Sequence, residues 1–190
     1  LFYYSLTALD ALFRRHALCI VDVERLAIHG GSLRVSVAHV GSEAPRPAVA
    51  EMLESEAAWG VGDLAIYRDF ADRVQTLGRD LRQLLGELKA QGKRLAAYGA
   101  SAKGSTLLNS LEIGRDYLDF VVDLSPHKQG RYLPGSRLPV HAPDMLAQTR
   151  PDYVLILPWN LAPEIEQSMG HIREWGGRFV TAIPRLAVRP

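Results

Sequence analysis

The sequence predicts an α/β protein in which residues 93–190 form a doubly wound parallel sheet, preceded by a long helix and, before that, by a helix and a β-hairpin. Three observations carry this. From Lys93 onward, short apolar runs alternate with helical segments, the pattern of buried parallel strands joined by helical crossovers. From about Asp63 to Gln91, Phe70, Val74, Leu77, Leu81, Leu84, Leu85 and Leu88 recur on one stripe, as in an amphipathic helix. Near the start, two strand-like runs flank His29-Gly30-Gly31-Ser32, a turn signal between strands.

Taken in order, Leu6, Leu9, Leu12 and Phe13 mark a helix over Ser5 to His16. Ser5 or Thr7 caps its start, and Asp10 precedes Arg14, Arg15 and His16 as the helix dipole prefers. Cys19–Ile28 and Leu33–Val40 are strands, and the second alternates Leu33, Val35 and Val37 with polar or small residues, as a half-buried antiparallel strand does. Gly41 to about Ala48 is polar and proline-containing and reads as a linker. The long helix ends at Gly92, where a C-terminal cap is expected. At about 1.5 Å per residue it spans roughly 40 Å, enough to bridge two domains, and Gly78 and Gly86 weaken it slightly. Strands follow at Arg94–Tyr98, Leu118–Asp123, Pro139–Val140, Tyr153–Leu157 and Arg178–Ile183, with helices through Asn109, over Pro143–Gln148 and over Pro163–Trp175.

The bulk properties fit this outline. A length of 190 residues suits one domain of moderate size, or one plus a piece of another. With 47% hydrophobic and 23% charged residues the chain can bury an ordinary core. Its net charge of +1 gives no global pull toward nucleic acid or an anionic membrane. The single cysteine, Cys19, rules out an internal disulfide or a zinc site made of cysteine pairs. No apolar run approaches the ~20 residues of a membrane helix, and Leu1-Phe2-Tyr3-Tyr4-Ser5 is no signal peptide, so a cytoplasmic protein is expected. The sequence opens at Leu1 inside a structural element, which leads us to expect a piece of a longer polypeptide.

Ligands of a doubly wound sheet bind beyond the carboxyl ends of its strands, and four loops lie there. The first, Gly99-Ala100-Ser101-Ala102-Lys103-Gly104-Ser105-Thr106, opens a helix. It keeps two glycines of the dinucleotide fingerprint but has Ser101 where the middle glycine belongs. Backbone N–H groups there favour an anion and Lys103 adds charge; the competing reading is a tight turn with a solvated lysine. The second is Asp123, about 20 residues on, where such folds place a ribose acceptor or where an aspartate simply caps a turn. The third, Ser125 to Gly135, carries Lys128 and Arg131, suited to clamp a diphosphate, and Tyr132, suited to stack on a base or sugar; a solvated basic loop is the alternative. In the fourth, Pro158-Trp159-Asn160-Leu161, Asn160 caps the next helix or bonds a ligand. His29, in the Gly-Gly turn, is a candidate base, while His141 and His171 form no metal-ligand pattern.

The run Ala97-Tyr98-Gly99-Ala100-Ser101-Ala102-Lys103-Gly104-Ser105-Thr106-Leu107-Leu108-Asn109 resembles the signature opening the C-terminal domain of the S-adenosylmethionine-dependent sugar C-methyltransferase family. Val121-Val122-Asp123, Lys128 to Gly135, Arg150 to Asn160 and Arg173 to Phe179 resemble later family motifs and keep their order. Upstream, Tyr4-Ser5-Leu6 and His29 to Arg34 look like the close of the family's methyltransferase domain.

The resemblance implies a C-terminal methyltransferase-domain end over residues 1–42, a linker and connecting helix over 43–92, and a Rossmann-like C-terminal domain over 93–190. It implies a methyl donor, S-adenosylmethionine, held by an upstream methyltransferase domain of the same polypeptide, and zinc held only in the N-terminal region. The acceptor it implies is a small molecule, a nucleotide-diphosphate keto-deoxysugar, with no nucleic-acid or membrane partner. In such enzymes a base removes the proton beside a keto group and the enolate attacks the methyl sulfonium. The family's Glu-His pair falls immediately before Leu1, so these residues alone are expected to be inactive. The substrate contacts expected here are Lys103, Lys128, Arg131 and Tyr132, with Gly99, Ser101, Asp123 and Asn160 beside them. Two rivals stand: a nicotinamide-dependent dehydrogenase domain, and a scaffold or dimerisation domain that binds nothing.

Overall fold

The computed structural model describes residues 3–190, apart from the side chain of His29. It forms two compact units, the first ending at Asp72 and the second covering Arg73–Pro190.

In the first unit, helix α1 (Leu6–Arg14) is capped by Ser5, whose Oγ accepts from Ala8 N at 3.1 Å. Strand β1 (Leu18–Leu26) leads through a 3₁₀ turn (Ile28–Gly30) into the antiparallel β2 (Ser32–His39). The alternation of β2 does not bury one face fully. Leu33 and Val37 each remain 36% exposed, because the sheet has only two strands among the described residues. Helix α2 (Pro47–Trp59) covers a stretch for which the sequence predicts no helix or strand. Pro47 stands in its first turn, where proline's missing N–H costs nothing, and Gly60 closes it at φ 84°. The core of this unit is Leu6, Ile20, Val23 and Val49.

Helix α3 (Leu64–Ala90) matches the long stripe, and the division between the units falls within it. Asp63 Oδ1 accepts from Ala65 N at its start. Gly92, at φ 74°, closes its end, where the N–H groups of Gly92 and Lys93 donate back to Lys89 O and Leu88 O. Gly78 has a packing reason: a Cβ there would lie 2.5 Å from Leu111 Cδ2.

The second unit is built on a six-stranded sheet in the order β5-β4-β3-β6-β7-β8, comprising β3 (Leu95–Tyr98), β4 (Val121–Val122), β5 (Val140–His141), β6 (Tyr153–Ile156), β7 (Arg178–Thr181) and β8 (Ala187–Arg189). The first five are parallel; β8, which the sequence reading lacked, pairs antiparallel along β7 as an edge. Period-two alternation sends Leu95, Ala97, Val121, Leu155 and Val180 to one face, against Leu81 and Leu85 of α3 and Leu108 of α4 (Ala102–Ser110). Ala96, Tyr98, Val122, Val154, Ile156 and Phe179 face the other side, against Leu146 of α5 (Asp144–Thr149) and Ile165 of α6 (Ala162–Ser168). The helix expected over Pro163–Trp175 is instead α6 followed by a 3₁₀ helix from Gly170 to Trp175. The chain moves one way from β3 through β4 to β5 and the other way through β6 and β7. The carboxyl end of β3 is therefore the topological switch point, where doubly wound sheets bind ligands.

Candidate functional site

The turn after β3 is fixed by packing. Gly99 adopts φ 90°, and a Cβ on it would meet Pro158 Cδ at 2.5 Å, so the backbone of the first loop lies directly against the loop after β6. A Cβ on Gly104 would meet Leu157 Cβ at 2.6 Å, so α4 packs closely over β6. Ser101 caps α4, its Oγ accepting from Gly104 N at 3.0 Å. Where a dinucleotide fold leaves bare glycine backbone for a pyrophosphate, a serine hydroxyl occupies the first turn.

Beside that turn lies a pocket of about 230 Å³. Ser101 and Ser105 line it from α4, and Lys128, Arg131 and Tyr132 line it from the loop after β4. Leu133, itself buried, helps form its apolar wall. Four residues singled out from two separate loops thus meet around one space. Ser105 was not assigned a role from the sequence, although its i,i+4 spacing from Ser101 places both on one helix face. Arg131 has no carboxylate partner among the described residues, and Tyr132 is exposed.

Asp123 sits beneath this pocket and is 8% exposed. Its Oδ2 accepts from Ala100 N at 2.7 Å and from Lys128 Nζ at 3.1 Å, and its Oδ1 accepts from Ser125 N at 2.8 Å. Its carbonyl accepts from Gln129 Nε2 at 2.9 Å. Burial, and then the Asp123 charge, push the neighbouring Tyr98 phenol above its ordinary value of 10.0, and its ring packs in the core.

Other expected site residues lie elsewhere. Lys103 is the second residue of α4, exposed and outside the pocket lining. Asn160 is exposed within a 3₁₀ helix (Trp159–Leu161). It does not cap α6 either, because this extra turn moves the cap position to Leu161, which has no side-chain hydrogen bond. The backbone of His29 belongs to the 3₁₀ turn of the first unit, and its side chain lies outside the described residues. His141 packs edge-on to Phe120, and His171 to Trp175. Among the described residues, no group of three His, Cys, Asp or Glu side chains could hold a metal ion. No helix among them is long and apolar enough to cross a membrane.

Comparison with known proteins shows the family. Residues 27–184 match the family described as C-methyltransferase C-terminal domain. Over 187 residues the chain is 43% identical to C-methyltransferase NovU of Streptomyces niveus, covering 98% of this chain and 44% of that protein, so it spans less than half the length of this relative. Among solved structures it is similar to UDP-D-quinovosamine 4-dehydrogenase from Vibrio fischeri, at 19% identity and a TM-score of 0.38, over 49% of this chain and 79% of that one. With 158 consecutive positions, 27 to 184, matched by the family and a long alignment to one of its curated relatives, the chain belongs to the C-methyltransferase C-terminal domain family.

Proposed function

We propose that this chain is the substrate-holding portion of an S-adenosylmethionine-dependent C-methyltransferase, and that the pocket beside α4 receives the diphosphate of a nucleotide-linked keto-deoxysugar. The observation that carries this reading is the convergence of Lys128, Arg131 and Tyr132 on the first turn of α4 around one pocket. An oxyanion there meets two cationic side chains, each a favourable partner for phosphate oxygen. Tyr132 offers a flat face to a base or sugar ring. Held this way, the sugar is fixed by its phosphates, and its carbon framework is free to extend toward a methyl donor.

This reading places the donor elsewhere. The first unit contains a helix–hairpin–helix arrangement, and in the turn after β3 Ser101 Oγ accepts from Gly104 N while Gly99 packs against Pro158. We therefore assign S-adenosylmethionine, the base and any zinc to parts of the longer protein outside these residues, and expect these residues alone to be inactive. Residues 1–42 are read as the end of the methyltransferase domain, 43–92 as the connector and 93–190 as the substrate-binding domain. On this reading the protein is cytoplasmic.

Calorimetric titration with thymidine diphosphate, S-adenosylmethionine and NAD tests this. Thymidine diphosphate alone should bind, and a Lys128→Ala, Arg131→Ala double variant should weaken it by about 100-fold, since hydrogen bonds to charged groups are each worth roughly 1.5–3 kcal/mol. Binding of NAD would favour the dehydrogenase reading, and binding of S-adenosylmethionine would mean the donor site is here. Silence from all three, or a double variant that binds like the wild type, would sink the clamp.

A further inference from the structure

The pocket's cations are not equivalent. Arg131 has no carboxylate partner among the described residues, whereas the Lys128 ammonium sits 3.1 Å from Asp123 Oδ2. The Asp123 side chain is 11% exposed and that of Lys128 46%, so the lysine reaches the pocket from a nearly buried anchor. A carboxylate this buried requires hydrogen bonds and a counter-charge, and it has both. Its two oxygens accept from the amides of Ala100 and Ser125 and from the ammonium, and the backbone carbonyl of Asp123 accepts from Gln129 Nε2. An aspartate that only capped the turn after β4 would need Ser125 alone. The bond to Ala100 N crosses to the loop after β3, so one carboxylate ties together the two loops that flank the pocket. An ammonium has three donors; with one directed at Asp123, two remain for phosphate oxygens.

We propose that Asp123 is a positioning residue of this pocket: it does not contact the substrate, but holds the Ala100 backbone and aims the Lys128 ammonium at the bound phosphate. This rests on the pocket reading given above. It also runs against simple electrostatics, by which a nearby carboxylate repels a diphosphate. On that alternative, removing the Asp123 charge would tighten binding; on the positioning role it weakens it.

A double-mutant cycle read by calorimetry with thymidine diphosphate separates the two. Lys128→Met should weaken binding about 10-fold or more, Asp123→Asn should weaken it to a similar degree, and the double variant should lose clearly less than the two losses combined, because Asp123 works largely through Lys128. Tighter or unchanged binding by Asp123→Asn, or fully additive losses, would overturn the proposal. Thermal melts accompany each variant. In the wild-type chain, which does not depend on any variant folding, the Ala100 and Ser125 amides should exchange slowly both with and without diphosphate. If they lose protection on saturation, the carboxylate has left them for the ligand, and the positioning role is wrong. Failure of the wild-type chain to bind the diphosphate at all would instead count against the pocket reading.

Discussion

The two units differ in how completely their sheets are covered. In the second, each face of the sheet is packed by helices, and two separate cores form, one around Leu85, Leu108 and Leu155 and the other around Ile156, Ile165 and Phe179. In the first, a two-stranded hairpin rests on four fully apolar core residues and leaves Ile28, Leu33, Val37 and Val40 exposed. There, side-chain hydrogen bonds also fix the ends of elements. Glu56 holds the start of α1, accepting from Leu6 N and Thr7 N at 2.7 Å. The pocket belongs to the well-covered unit, where loops can be held in register by a sheet packed on both faces beneath them.

The largest effect expected from this contrast is in the core. Phe179→Ala, at a fully buried position, should cost about 3–5 kcal/mol in urea unfolding. Ile20→Ala in the small core should cost about 2 kcal/mol, the low end for such truncations, because a two-stranded sheet can relax into the gap. Equal losses at the two sites would break the contrast.

Next come two glycine substitutions of opposite sign. In a helix interior Gly→Ala ordinarily stabilises by up to about 1 kcal/mol. Gly86→Ala should do so, since the nearest atom to its new Cβ is Tyr117 Cε1 at 3.9 Å. Gly104→Ala should instead destabilise by about 1–3 kcal/mol, because its Cβ would press on Leu157. Thermal melts of both variants check the pair, and a stabilised Gly104→Ala would mean that α4 is free to lift from β6.

The smallest effect is pH-dependent and confined to the first unit. Burial tends to raise the Glu56 carboxyl, but hydrogen bonds from Thr7 and Leu6 outweigh it and hold it below its ordinary 4.5. A carboxyl whose pKa is depressed by folding stabilises the fold above its unfolded value and loses that contribution as pH falls through its folded value. Glu56→Gln should therefore lower stability by about 0.5–1 kcal/mol at neutral pH, with the gap to wild type closing as pH falls below the ordinary 4.5 and through the lower folded value. A gap that persists in acid would assign the effect to packing.

Most elements of the second unit are legible in the sequence because each is written in local periodicity. The apolar run Tyr153–Leu157 and the stripe of α3 needed no distant information. Elements without such a pattern were missed. Helix α2 spreads Val49, Met52 and Leu53 among alanines and glutamates, and β8 is a three-residue edge defined only by its pairing with β7. The site was legible as a set of loops. Lys128, Arg131 and Tyr132 were named from their chemistry, and Ser101 from its place at a helix start.

By itself, then, the sequence determined the α/β order, the long helix ending at Gly92, the loops able to carry chemistry, and the family motifs in their order, all properties of neighbouring residues. The tertiary structure decided which of those loops meet. It set Ser105 into the pocket wall, left Lys103 and Asn160 outside it, and made Asp123 the tie between two loops. These outcomes depend on strand order and on contacts such as Ala100 to Asp123, 23 residues apart. Such contacts form only when strand pairing closes the intervening loop, so no local pattern can announce them.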